Sequence, residues 1–151
     1  MRLTFDLPAT RKALLGGGSL LKDGNCKVFQ EAVDAYLIRH RSILDVLSKF
    51  QESSARVNRA VAKAVTSCGC LEINACRQPA TATMSITEFR QCVDSHLRGE
   101  LCESCCEIIA SEIGMSLFYQ AALCNLLGLD LDELLAQEAQ RLKTLGIFNL
   151  S

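Results

Sequence analysis

The longest uncharged stretch of the chain, Ile113 to Leu129, constrains the fold more than any other feature. It lies at the short edge of bilayer-spanning length and contains Ser116, Gln120 and Asn125, so it reads as a core helix, not a membrane segment. A helix apolar on nearly every side demands an enclosed, central position. With 49% hydrophobic and 22% charged residues, the chain has enough apolar material for a core, and wholesale disorder is excluded. A net charge of −1 supplies no basic field for nucleic acid or an anionic membrane. Aromatics at 5%, no tryptophan and 2 prolines argue against a β-sandwich or a base-stacking platform.

Residues 1–24 read as a flexible arm, with Gly16-Gly17-Gly18-Ser19 as a hinge and Lys22-Asp23-Gly24-Asn25 as a turn. The first residues carry charges at Arg2, Asp6, Arg11 and Lys12 and no apolar run before a small-residue cleavage site. No secretory leader is read there, and a reducing, cytoplasmic compartment is expected.

From 25 to 151 the period is helical. Asn25 is placed to cap a first helix reaching His40, with Val28, Phe29, Ala32, Val33, Tyr36 and Leu37 on one face. A second helix is expected from Ser42 to Ser67, with a seam of Ile43, Leu47, Phe50, Val57, Val61 and Ala64 and Ser54 in one slot. Cys68 to Thr83 reads as a connector. Ser85 and Glu88 form a capping box for a short helix to about Arg98. A fourth helix is expected from Glu100 to Leu127, stopped by Gly128. Asp130 and Glu133 signal a last helix to about Leu145, with Gly146 as its stop. The expected fold is therefore all-α, a bundle of four main helices plus one short helix. Its long seam and apolar fourth helix offer more surface than four helices bury internally, so a homo-oligomer, a dimer or tetramer, is expected.

Two segments carry a resemblance. GMSLFYQAALCNLLGLDLDELL, preceded by Glu112-Ile113, resembles the second half of the MazG-type, all-α nucleoside triphosphate pyrophosphohydrolases. In that family a Glu-x-x-Asp pair opens an apolar helix ending in an Asn-x-x-Gly-hydrophobic-Asp turn, matched here by Asn125, Gly128 and Asp130. LSKFQESSARVNRAVAKA is similar to the family's first acidic helix, Glu-Glu-x-x-Glu. The resemblance implies a helical bundle in which carboxylates from two facing helices hold magnesium ions against a triphosphate. Carried over, Glu52 falls at the first Glu, Ser53 at the second and Arg56 at the third. Glu112 falls at the Glu of the second pair, and Met115 replaces its Asp. Two acids cannot fill the coordination shells of a two-metal site, so catalysis is expected to be weak, altered or lost, with Arg56 gripping a phosphate in place of a metal. From periodicity alone, Glu52 reads as a solvated partner of Arg56, and Glu112 as a buried acid bonded to Tyr119 or to backbone.

The chain has 9 cysteines. Cys68-x-Cys70 at the end of the second helix and Cys102-x-x-Cys105 at the start of the fourth have the grammar of a tetrathiolate site, with zinc as the default metal and an iron–sulfur cluster as an alternative. If the two helices run antiparallel, these ends meet. Cys76, His96 and Cys106 are nearby spare ligands, whereas Cys26, Cys92 and Cys124 read as packing residues. Buried free thiols and a disulfide or redox pair are the competing readings. Three functions follow: a nucleotide-handling MazG-like protein, a non-enzymatic interaction module cornered by zinc, and a thiol redox sensor.

Overall fold

The computed structural model describes residues 26–78 and 86–145. The expectations for the 1–24 arm, the Asn25 and Ser85 caps and the Gly146 stop fall outside these residues. Among the described residues the chain is mainly helical: α1 (Cys26–Tyr36), α2 (Ile43–Lys63), a π-helical turn (Ala64–Cys68), β1 (Leu71–Ile73), α3 (Ile86–Cys92), β2 (Leu97–Gly99), α4 (Glu103–Leu127) and α5 (Leu131–Leu145). None of these helices is long and apolar enough to cross a membrane.

The antiparallel pair of α2 and α4 is the frame. Val46 of α2 packs with Ala121 and Ala122 of α4 at one end, and Ala64 packs with Ile109 at the other. The first cluster also takes Val33 and Leu37, which follow one face of α1. The seam of α2 differs from the expected one. Ile43, Leu47 and Val61 lie outward and Val46 and Ser53 are buried in their place, while Ala64, at the start of the π-helical turn, is buried as expected. The helix is rotated because small side chains, Ala121 and Ala122, form the facing surface and draw α2 in along Val46. Ser53 is accommodated there because its hydroxyl donates to the Phe50 carbonyl at 2.8 Å.

The Asn125–Asp130 turn has a structural account. Gly128 adopts φ +68° and closes α4. Asn125 donates from Nδ2 to the Gln30 carbonyl at 2.9 Å, and Gln30 Nε2 donates to the Leu129 carbonyl at 2.7 Å. Asp130 Oδ1 accepts the Glu133 N–H at 3.0 Å, which caps α5 as the sequence predicts. Asp132 reaches back to α1, its carboxylate accepting the N–H groups of Cys26 and Lys27 at 3.1 and 3.0 Å.

The stretch between Cys68 and Cys102 holds a feature that helical periodicity does not reveal. β1 and β2 form a two-stranded antiparallel ribbon, pairing Leu71 with Gly99, Glu72 with Arg98 and Ile73 with Leu97. The short helix accordingly stops at Cys92 instead of Arg98. Asp94 redirects the chain: its Oδ1 accepts the His96 N–H at 3.0 Å, and His96 takes φ +58°. Gln78 clasps the turn from both sides, donating to the Asp94 carbonyl at 2.8 Å and accepting the Asp94 N–H at 3.1 Å.

Candidate metal centre and the Glu112 cleft

The antiparallel α2–α4 pair brings the end of one helix to the start of the other. The π-helical turn advances the chain more slowly than an α-turn and delivers Cys68 to the N-terminus of α4. Gly69 then adopts φ +74°, a left-handed conformation that turns the chain between Cys68 and Cys70. On the other side Cys102 is the N-cap of α4 and Cys105 lies within its first turn. The ligand atoms of Cys68, Cys70, Cys102 and Cys105 all lie within 4.8 Å of one another. Cys68 and Cys102 place their Sγ atoms 3.6 Å apart.

These distances suit one ion. Zn–S bonds of about 2.3 Å set the S···S edges of a tetrahedron at about 3.8 Å. An iron–sulfur cluster spreads its thiolates over several irons and needs a wider cage. Cys70 and Cys105 pack against the small apolar cluster of Ala64, Leu71 and Ile109, which screens the inner side of the site. Cys68 is exposed, and the other three are half-buried.

The thiols are electrostatically unequal. The amide and thiol of Cys105, with the Cys68 thiol, draw the Cys102 pKa down to about 7. Cys105 is the counterpart, pushed up to about 12 chiefly by Cys102 and then by burial. Cys68 is raised, first by its contact with Cys102. A helix N-terminus favours the thiolate form at Cys102, as a metal ligand requires. None of the spare residues, Cys76, His96 or Cys106, belongs to this group. His96 instead contacts Gln78, Nε2 to Nε2 at 3.0 Å. Of the cysteines read as packing residues, Cys124 is buried and its thiol is raised by burial, whereas Cys92 is exposed.

Closure of the cluster depends on a residue the motif spacing did not single out. Gly99 ends β2 with φ +80°, and a Cβ there would stand 2.5 Å from the Cys70 carbonyl oxygen. Only glycine lets the returning strand lie this close to the CxC loop. Its position three residues before Cys102 is the sequence signal for that role.

The family-derived acids lie midway along the same helix pair. Glu52, Arg56 and Glu112 share a cleft of about 540 Å³ that Arg59, Lys63 and Ile108 also line. The expected Glu52–Arg56 pair does not form. Lys49 takes Glu52 at 2.7 Å from three residues upstream, raising its own pKa and lowering that of Glu52. Arg56 instead crosses to α4 and donates from Nη2 to Glu112 Oε1 at 2.8 Å. Glu112 is thus bound by an arginine, not by Tyr119 or backbone. Its Oε2 is buried and has no hydrogen-bond partner among the described residues. Lys49 was missed because i, i−3 and i, i+4 spacings offer Glu52 two cations, and sequence alone does not rank them.

Comparison with protein-family models, curated proteins and solved structures finds no match to this chain.

Proposed function

We propose that this chain is a cytoplasmic, helical interaction module braced by a single tetrathiolate metal ion, zinc. The observation that carries this reading is the convergence of four sulfur atoms from two chain segments within 4.8 Å. The soft, fully thiolate donor set selects zinc or iron, and the absence of a displaceable ligand position among four cysteines suits a structural ion, not a catalytic one. The ion ties the π-helical turn after α2 to the start of α4 and closes the base of the β1–β2 ribbon between them. Large apolar side chains facing outward on α4, Ile113 and Leu117 among them, supply the surface for self-association. The test is elemental analysis of protein purified without added metal, combined with cobalt substitution. One zinc per chain and the intense thiolate-to-cobalt absorption of a tetrahedral site support the reading. Metal-free protein that takes up no cobalt rejects it.

A second reading keeps the MazG-like resemblance. It draws support from Glu112, whose buried Oε2 lacks a donor at the edge of a cleft lined by Arg56, Arg59 and Lys63. A nucleotide offers both partners, phosphates for the cations and a hydroxyl or amino donor for the carboxylate. Glu52 and Glu112 are each engaged by a cation, so we place the phosphates on Arg59 and Lys63 without a magnesium cage. Calorimetry with nucleoside triphosphates, with and without magnesium, tests it. Binding abolished by the Arg59→Glu, Lys63→Glu double substitution supports it, and binding indifferent to that change refutes it.

A further inference from the structure

We propose that hydroperoxides open this centre, joining Cys68 to Cys102 in a disulfide and releasing the metal. The inference rests on the metal-centre reading above and adds a control to it.

The geometry singles out one pair. The Sγ atoms of Cys68 and Cys102 are 3.6 Å apart, and a disulfide needs about 2.05 Å. Closing that gap requires a small shift, and Cys68 has room to make it. It is the exposed member of the four and sits at the end of the π-helical turn. Beside it, Gly69 has open space around its Cα, with nothing within 4 Å of where a Cβ would stand. Cys70 and Cys105 are instead packed against the Ala64, Leu71 and Ile109 cluster. The pair also comes from different elements, so the new bond replaces the metal as the link between α2 and α4.

The chemistry balances without a further reactant. The Cys68 thiolate attacks the terminal oxygen of the hydroperoxide. The O–O bond breaks, the alkoxide or hydroxide leaves and takes a proton, and Cys68 becomes a sulfenic acid. The Cys102 thiolate attacks that sulfur, the S–S bond forms, and the S–O bond breaks with loss of hydroxide, which takes a second proton as water. The two sulfurs lose two electrons in total, and one hydroperoxide is reduced to an alcohol or water. Two thiolates remain for the ion, too few for a site that depends on four. The ribbon between Cys70 and Cys102 then loses the tie at its base.

The experiment uses the full chain loaded with one zinc and titrated with hydrogen peroxide. A chromophoric chelator follows zinc, and peptide mapping follows the cysteines. The exposed thiols of Cys76 and Cys92, outside the centre, are internal controls. The expected result is one zinc released for each Cys68–Cys102 cross-linked peptide, before Cys76 and Cys92 are consumed. Reductant with added zinc then reverses it, and Cys106→Ser leaves the yield unchanged. Zinc retained while Cys76 and Cys92 oxidise overturns the inference and leaves the metal centre standing. So does zinc release with the cross-link mapping to another pair. A chain that binds neither zinc nor cobalt overturns both.

Discussion

Arg56 and Glu112 join α2 to α4 through a 2.8 Å charge-assisted hydrogen bond whose two ends are unequally hydrated, the arginine side chain 57% exposed and the glutamate 16%. The glutamate is therefore the member that depends on its partner. Removing Arg56 strands a mostly buried carboxylate, whereas Glu112→Gln removes the charge and keeps an acceptor. We predict that Arg56→Ala lowers the urea midpoint more than Glu112→Gln does. The reverse order would show that the carboxylate is better solvated than its burial implies.

Metal removal should weaken the whole helix pair. An ion that binds the folded chain and not the unfolded one stabilises by mass action, by about 4 kcal/mol when free metal stands at a thousand times Kd. For a domain of this size that corresponds to a fall in Tm of roughly 10 °C or more on chelation. Cys105→Ser should show the lower Tm without chelator and no further fall with it. Differential scanning calorimetry with and without chelator checks both.

Two glycines near the centre should behave differently. Gly69 and Gly99 both have left-handed backbones, but of the two only Gly99 faces an obstacle, the Cys70 carbonyl oxygen 2.5 Å from where a Cβ would stand. Gly69→Ala should cost about 1–2 kcal/mol of backbone strain with metal binding retained. Gly99→Ala adds a backbone collision beneath the ligand loop and should weaken metal affinity about tenfold or more. Competition with a chelator of known affinity measures the difference.

The metal-free protein should show a split pair of thiols. Cys102 is held at about 7 and Cys105 at about 12, both displaced from 9.0. Alkylation of Cys102 by iodoacetamide should rise to half its maximum near pH 7, while Cys105 stays slow throughout the neutral range. For stability the sign follows from the depression: the contribution of the Cys102 thiolate is present in full above about pH 9 and is lost as pH falls through 7. Residue-resolved mass spectrometry across pH 5–9 provides the check. Equal reactivity of the two cysteines would refute the assignment.

The small upper core should be sensitive to truncation. Val46 is wholly buried between α1 and α4, against Val33, Ala121 and Ala122. Val46→Ala should cost about 2 kcal/mol, from lost transfer energy and a cavity the short neighbouring side chains cannot fill. Chemical denaturation gives the value.

The long elements were legible because their signals are redundant. Gly128 and the Asp130 cap mark the α4–α5 junction twice over, and the structure places both where the sequence does. The cysteine cluster was legible for a different reason: CxC and CxxC sit at helix ends, and antiparallel packing brings such ends together. The ribbon was not, because Leu71–Ile73 and Leu97–Gly99 are too short for any alternation to register. The inward face of α2 was half legible. Phe50, Val57 and Ala64 fit either of two overlapping seams, and the choice of Val46 over Leu47 is made by Ala121 and Ala122, more than 70 residues away. The Arg56–Glu112 pair was hidden for the same reason, since a cross-helix partner leaves no trace in local spacing.

The Asp132 carboxylate that receives the Cys26 and Lys27 amides lies 106 and 105 positions downstream of them. A ribosome therefore adds 105 residues beyond Lys27 before the start of α1 obtains this acceptor. A nascent chain stalled short of Asp132 leaves those amides seeking water or a foreign carboxylate. α5 acts as the latch of biosynthesis, and a chain cut just before Asp132 should be felt far upstream, at the first turn of α1.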